Sequence, residues 1–188
     1  MEAYLDNAAT TRAAVEVAKI VTDIMLNDYG NPSSKHSKGF DAEKQVKHAA
    51  QIIAKTLKCD EKEILFTSGG TESNNMAIIE SAIANKRRGN HVIVSSVEHS
   101  SVKEPFRYLE ENGFNVTYLP VDSEGRITPE QLEAAIRPDT ILVSIMTANN
   151  EIGTIEPIKE LGRVAHEHGV LFHTDAVQAY GHIPINVD

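Results

Sequence analysis

The sequence predicts an α/β protein with a mostly parallel sheet and helices on both of its faces. Short apolar runs alternate with segments of helical periodicity from residue 63 onward. This alternation is typical of parallel sheets, in which each helix connects one strand to the next. The composition agrees with a globular fold, because 41% of the 188 residues are hydrophobic and 24% are charged.

The elements follow from the pattern in chain order. Two helices come first, at about 12–27 and 40–57, separated by a loop rich in glycine and serine. Thr128 and Pro129 suit the N-cap and the first position of a later helix. The predicted strands are 63–68, 91–96, 115–121, 140–146 and 170–175, and the predicted helices between them begin near 71, 102, 129 and 157. We expect residues 1–12 to form an N-terminal arm and residues 13–188 a partial large domain, incomplete at the C-terminus.

Charge and cysteine content exclude several classes of function. The net charge of −9 argues against a nucleic-acid-binding protein and against binding to an anionic membrane surface. Cys59 is the single cysteine, so no internal disulfide can form and a reducing compartment is expected. No signal peptide and no apolar run of about 18 residues is visible. These features predict a cytoplasmic protein, with Cys59 in a structural role.

Polar residues follow the predicted strands at the edge where parallel sheets bind ligands. Gly70 and Thr71 open a helix whose N–H groups could bind a phosphate, although on this motif alone a glycine turn with a helix cap is the more common explanation. His99 is a candidate acid or base, or a ring-stacking group, and is otherwise structural. Asn149 and Asn150 follow another strand and could contact a ligand or simply form a turn.

The last predicted strand ends at Asp175, and Gln178 follows it. Asp175 could cap the following turn or could offer a buried carboxylate to a cationic ligand atom. Each signal is weak alone, but together they provide a phosphate site, an imidazole, amides and a carboxylate. This set fits a phosphorylated, ring-shaped cofactor with a basic ring nitrogen, such as pyridoxal phosphate. No metal is predicted.

Six motifs resemble a known family. The segments "YLDNAATT", "GNPSSKH", "TSGGTESNN", "EHSS", "NNEIG" and "HTDAVQ" occur in the order found in cysteine desulfurases of the NifS/IscS type. These enzymes are class V aminotransferase-like, fold-type-I proteins that use pyridoxal 5'-phosphate. The resemblance therefore implies the large-domain fold of a pyridoxal phosphate-dependent transferase, and it extends over essentially the whole chain.

The resemblance also implies a role for each candidate residue. It implies that Gly70 and Thr71 hold the phosphate, that His99 stacks on the ring, that Asn150 and Gln178 contact the phenolic oxygen side, and that Asp175 pairs with the ring nitrogen. His99 is further implied to assist proton transfer. The implied reaction takes sulfur from L-cysteine, leaves L-alanine and holds the sulfur as an enzyme persulfide. The implied partners are a second copy in a homodimer and a sulfur-acceptor or Fe–S scaffold protein.

Two residues essential to the family have no counterpart here. The Schiff-base lysine follows a sixth strand in a Ser-x-His-Lys run, and the persulfide cysteine lies in the C-terminal half; Lys159 and Cys59 match neither. The chain thus resembles the first half of a longer enzyme, and we expect it to be inactive alone. We also expect a gap beside strand 63–68, because strands six and seven of the family's sheet are missing.

Alternative interpretations remain open from the sequence. The chain could be a catalytically inactive scaffold or one part of a split enzyme, because the lysine is missing. A metal-dependent hydrolase that uses His173 and Asp175, with His166 or His168 nearby, is a less favoured alternative.

Overall fold

The computed structural model describes residues 3–187. They form two compact units, one made of the chain up to Phe66 together with the segment from Pro184, the other made of Thr67–Ile183. The expected division into residues 1–12 and 13–188 stays a prediction, and residues 1, 2 and 188 of those ranges lie outside the described residues. The candidate site residues all belong to the second unit.

The first unit contains two helices, α1 (Val15–Leu26) and α2 (Ser37–Leu57). Both were expected from the apolar periodicity. His36 caps α2, because its side chain accepts a hydrogen bond from the Gly39 N–H. α2 buries small residues, namely Gly39, Ala42, Ala50 and Ala54, whereas α1 buries none. Neither these helices nor any other helix within residues 3–187 is both long and apolar enough to cross a membrane.

The predicted strand at 63–68 is wrong. A short 3-10 helix occupies Glu61–Glu63, and the residues after it form no strand. Leu65 and Phe66 have 68% and 50% of their surface exposed. An extended segment becomes a strand only where a neighbour completes its hydrogen-bond ladder. The sheet formed by the described residues contains no such neighbour for this segment.

The second unit contains a four-stranded parallel sheet. Its strands are β1 (His91–Ser95), β2 (Asn115–Leu119), β3 (Thr140–Ser144) and β4 (Leu171–His173), in the order β2-β1-β3-β4. All four lie inside predicted strands. β4 is shorter than the predicted 170–175, although the Thr147 N–H still donates to the carbonyl oxygen of Asp175 at 2.9 Å.

Helices cover both faces of this sheet, as predicted. The helices are α3 (Gly70–Asn75), which continues through a π-helical turn (Met76–Glu80) into α4 (Ser81–Asn85), then α5 (Ser100–Glu111), α6 (Pro129–Ala135) and α7 (Ile158–Glu167). Thr128 caps α6 in a capping box with Gln131, which confirms the expected helix start. α4 and α5 pack on one face, and α6 and α7 on the other.

Two hydrophobic clusters hold these layers together. Val92 and Val94 of β1 point to one face, where they pack with Ile78 and Phe106. Ile93, between them, points to the other face and belongs to the cluster of α6 and α7. Every residue of β1 is buried, as expected for a central strand covered on both faces.

The strand order places a crevice between β1 and β3. The chain leaves β1 toward β2 on one side, and leaves β3 toward β4 on the other side. Such a reversal is a topological switch point, where open α/β sheets bind their ligands beyond the carboxyl ends of the strands. The loops that follow β1, β3 and β4 carry His99, Asn150 and Asp175, so the sheet brings the candidate residues to one edge.

Candidate functional site

Gly70 places the start of α3 against the loop after β4. A Cβ atom at position 70 would lie 3.0 Å from Cγ2 of Val177, so a larger residue would crowd this contact. Thr71 follows in the first helical turn and is exposed. The first N–H groups of a helix have no acceptor within the helix, so they are available to an anion. The assignment of Gly70 and Thr71 to a phosphate site stays a prediction.

The start of α3 also carries a negative charge. Oε2 of Glu72 accepts a hydrogen bond of 2.6 Å from the Ser68 N–H. Hydrogen bonds with Ser68 keep the pKa of Glu72 below its ordinary value, so the carboxylate is ionised at neutral pH. An anion bound here must therefore rely on N–H groups and hydroxyls, with Glu72 opposing it.

A series of hydrogen bonds joins Asp175 to His99. Nδ2 of Asn74 donates to Oδ2 of Asp175 at 2.8 Å and to Oγ of Ser101 at 3.0 Å. Oγ of Ser101 lies 2.8 Å from Nδ1 of His99. Asn74 and Ser101 are both buried, so the connection runs through the interior of the second unit. Sequence reasoning identified the two ends of this series and missed its two middle residues.

The direction of these hydrogen bonds sets the tautomer of the neutral His99 ring. The amide of Asn74 is a donor to Ser101, so the Ser101 hydroxyl has its own proton free to donate to Nδ1 of His99. Nδ1 also accepts a hydrogen bond from the Ser101 N–H at 3.1 Å. Nδ1 is therefore an acceptor, and the proton of the neutral ring lies on Nε2. His99 also serves as the N-cap of α5.

Asp175 is buried and is held from two further directions. Its Oδ1 accepts a hydrogen bond of 2.9 Å from the Val177 N–H, and its carbonyl oxygen accepts one from Thr147. With Asn74 on Oδ2, both carboxylate oxygens have a fixed donor and each keeps an additional acceptor position. The carboxylate is thus rigidly placed and able to pair with a cationic ligand atom.

The two asparagines in the loop after β3 have different hydrogen-bond partners. Asn149 is buried, and its Nδ2 donates to the carbonyl oxygen of Val97 at 3.0 Å. Asn150 is partly buried, and its Nδ2 donates to Oε1 of the adjacent Glu151 at 2.7 Å. The hydrogen bonds of Asn150 therefore do not connect it to Asp175 or His99. Gln178 is partly buried in the turn that follows Asp175.

His173, considered above for a metal centre, has a different environment. Its Nδ1 lies 2.8 Å from Oγ of Ser144, and burial lowers the pKa of His173 to about 4, so the ring is neutral. The neighbouring carboxylate of Asp175 is engaged with Asn74. Within residues 3–187, no group of three or more His, Cys, Asp or Glu side chains is arranged to hold a metal ion.

Glu98, next to His99, is a buried acid that sequence reasoning did not single out. Its side chain is 3% exposed, and its Oε1 accepts a hydrogen bond of 2.6 Å from the Met146 N–H. Oε2 is buried and has no hydrogen-bond partner among the described residues. Burial raises the pKa of Glu98 to about 8, and the negative charges of Asp175 and Glu156 add to this effect.

The comparisons with known proteins agree with this architecture. The family model described as aminotransferase class-V matches residues 3–188. A cysteine desulfurase IscS from Dictyoglomus turgidum is 54% identical over 187 residues, which is all of this chain and 48% of that protein. A mitochondrial cysteine desulfurase from Eremothecium gossypii is 48% identical over 98% of this chain and 38% of its own length.

Solved structures give the same picture. A NifS-like protein superposes with a TM-score of 0.95 at 40% identity, over the whole of this chain and 52% of that one. A structure described as SspA in complex with cysteine superposes with a TM-score of 0.94 at 42% identity, over 98% of this chain and 53% of that one. The chain spans about half the length of the curated relatives it matches. It therefore belongs to the class-V aminotransferase family and corresponds to the N-terminal part of its IscS-type cysteine desulfurases.

Proposed function

We propose that this chain supplies the cofactor-binding part of a pyridoxal phosphate-dependent cysteine desulfurase. The observation that carries the proposal is the series of hydrogen bonds from buried Asp175 to His99, beside the helix start at Gly70. The class-V family and the relatives named cysteine desulfurase support the reaction class. The substrate is L-cysteine and the products are L-alanine and a persulfide on an enzyme cysteine.

The residues of this chain fit the cofactor by their chemistry. Gly70 and Thr71 offer N–H groups to the phosphate, and Asp175 offers a buried carboxylate to the ring nitrogen. Asn150 and Gln178 would contact the phenolic oxygen side of the cofactor. When bound, the cofactor supplies an electron sink for the carbon that loses a proton or a substituent. Asp175 strengthens that sink, because a carboxylate beside the ring nitrogen favours its protonated form.

His99 is proposed to stack on the ring and to move a proton. Ser101 occupies Nδ1, so Nε2 is the nitrogen left to exchange a proton with the substrate. The imidazole is exposed, whereas its hydrogen-bonded support through Asn74 and Ser101 is buried. A fixed ring with one accessible nitrogen is the arrangement that general acid–base catalysis requires.

The proposal includes partners and a location. The complete enzyme is a cytoplasmic homodimer, and it passes sulfur to an acceptor or to an Fe–S scaffold protein for cluster or thio-cofactor assembly. The support for these points is the similarity to IscS proteins. An inactive scaffold or one part of a split enzyme stays an alternative, since no lysine or cysteine of this chain is assigned to the covalent steps.

Replacing His99 by alanine in a completed enzyme is expected to slow proton transfer by roughly 10² to 10⁴-fold. The completed enzyme is this chain joined to the remaining half of the Dictyoglomus turgidum relative. The measurement is alanine formed from L-cysteine. His99→Asn should be slowed equally while keeping a good N-cap for α5, and His166→Ala, at an exposed position on α7, should be unaffected. Full activity of His99→Ala would exclude the proposed role.

The isolated chain is expected to bind pyridoxal phosphate weakly or not at all, and to form no specific covalent bond through a lysine. Covalent capture needs an amine beside the cofactor's aldehyde carbon, and Lys159 lies exposed in the first turn of α7. The test is to add the cofactor, reduce with borohydride and map modified lysines by mass spectrometry. Scattered labelling without alanine formation agrees with the prediction. Stoichiometric labelling of Lys159 alone, with alanine produced from cysteine, would contradict it.

A further inference from the structure

The loops after β1 and β3 are joined across the switch point by two hydrogen bonds. Glu98 accepts the first, from the Met146 N–H at 2.6 Å. Asn149 donates the second, to the carbonyl oxygen of Val97 at 3.0 Å. These are the loops that meet at the crevice between β1 and β3. The first bond depends on the side chain of Glu98, whose surroundings disfavour its ionised form.

The surroundings of Glu98 disfavour a carboxylate. The side chain is 3% exposed, no ion pair reaches it among the described residues, and Oε2 has no hydrogen-bond partner there. The charged groups that act on it are the carboxylates of Asp175 and Glu156, which oppose its ionisation, and the ammonium of Lys103, whose effect is smaller. A buried carboxylate with one donor and two anionic neighbours is costly, and the neutral acid costs less, because it carries no charge and leaves only the Oε2 hydroxyl without a partner among the described residues.

Glu98 also lies between the two ends of the candidate site. Its own neighbour in the chain is His99, the N-cap of α5. Its hydrogen-bond donor is Met146, whose neighbour Thr147 donates to the carbonyl oxygen of Asp175 at 2.9 Å. One path therefore leads from His99 through Glu98 and the β3 loop to Asp175, in addition to the path through Asn74 and Ser101.

We propose that Glu98 is a positioning residue which, as a neutral carboxylic acid, fixes the loop bearing His99 to the loop after β3 and so sets the spacing of His99 and Asp175. Its neutrality also leaves Asp175 without a second carboxylate charge close by. The significance of that spacing for a cofactor rests on the proposed function. The neutral state and the link between the loops are properties of the fold, so they can be measured without any cofactor.

Neutrality of Glu98 makes stability depend on pH in a definite direction. Between the ordinary glutamate pKa and about 8, the unfolded chain releases this proton while the folded chain retains it. Stability is therefore greatest at acidic pH with respect to this group, and it falls as pH rises through about 8. Glu98→Gln keeps an acceptor for the Met146 N–H and cannot ionise. Its urea unfolding midpoint should match that of the original chain near pH 5 and exceed it increasingly up to pH 8 or 9.

The matched control for charge is Glu111→Gln, at an exposed position at the end of α5. It removes one carboxylate from the surface, so its unfolding midpoint should parallel the original chain at every pH. The pKa of Glu156 is also raised by burial, and it is present in all of these variants, so its contribution cancels in the comparison. Parallel curves for Glu98→Gln and the original chain would overturn the neutral state of Glu98.

Amide hydrogen exchange tests the link between the loops. Exchange at the Met146 and Thr147 amides should accelerate roughly 5- to 30-fold in Glu98→Ala, because one buried hydrogen bond is lost. It should stay slow in Glu98→Gln. The intrinsic effect of pH on the exchange rates of these amides is measured in Glu98→Gln. In the original chain, raising the pH from 7 to 9 should increase the exchange rates by more than that. Unchanged protection in Glu98→Ala would overturn the positioning role.

A pyridoxal phosphate titration of the completed enzyme, followed by absorbance, separates this proposal from the proposed function. We expect Glu98→Gln to keep its affinity at pH 7 and Glu98→Ala to lose roughly 5- to 30-fold. If amide exchange changes as expected but no variant binds the cofactor, the proposed function is refuted. The role of Glu98 in the fold is then still supported. Equal cofactor affinity of all variants, with exchange unchanged, would refute the role of Glu98 alone.

Discussion

Replacing Asp175 by alanine in the completed enzyme is expected to abolish conversion of L-cysteine to L-alanine. The ring nitrogen would lose the carboxylate that keeps it protonated, and the electron sink would be lost with it. The same change removes the acceptor of the Val177 N–H and one of the two acceptors of Nδ2 of Asn74, which still donates to Ser101. Each orphaned group costs about 1–3 kcal/mol. The measurements are alanine production and urea unfolding of the same preparations.

Asp175→Asn separates the charge from the fold. Its amide oxygen can still accept from the Val177 N–H, but its amide nitrogen cannot accept from Asn74, so part of the stability should return. Turnover should stay absent because the charge is gone. Near-normal desulfuration by Asp175→Ala would show that the carboxylate has no role in the reaction. Turnover restored in Asp175→Asn would show that hydrogen bonding, and not charge, is what the site needs.

Phe106→Ala is expected to lower the free energy of unfolding by about 3–5 kcal/mol, which is a large part of the roughly 5–15 kcal/mol typical of a domain. Phe106 is fully buried and packs with Ile78, Val92 and Val102. Those contacts hold α5 and the π-helical turn against the sheet, under the residues that join His99 to Asp175. Chemical unfolding, monitored by circular dichroism, measures the loss.

Tyr108→Ala provides the comparison on the same helix. Tyr108 is 47% exposed, so its replacement should change stability by no more than about 0.5 kcal/mol. Phe106→Leu should recover much of the loss caused by alanine, since it refills part of the cavity. A cost below about 1 kcal/mol for Phe106→Ala would mean that this side of the sheet is not a packed core.

The strands of the sheet were predictable because each one has a local pattern of apolar residues that is typical of a strand. β1 and β3 are continuous apolar runs flanked by polar segments, which is how a strand buried on both faces appears. The segment 63–68 has the same local character, yet it forms no strand. Pairing depends on a neighbour from elsewhere in the chain, and local pattern carries no information about that neighbour.

The candidate site was predictable only in its outer members. Gly70, His99 and Asp175 stand at strand ends or helix starts, where position alone makes them conspicuous. Asn74 and Ser101 lie inside helices, where a polar residue is usually exposed. A signal for Asn74 was present, because it lies one helical turn before Ile78, which is fully buried. That spacing puts an amide on the buried face, where it must find partners.

The order of the strands has a consequence for how the protein folds. Strands β1 and β2, with α5 between them, close over a short stretch of chain, and so do β3 and β4 with α7. The seam between β1 and β3 is different, since the residues that meet there, such as His91 and Thr140, are 49 positions apart. Loop closure of that length costs more entropy, so we expect the two β–α–β units to form first and to dock afterwards. The edge that carries His99 and Asp175 is then assembled by the docking step, and a ligand bound there would stabilise the seam itself.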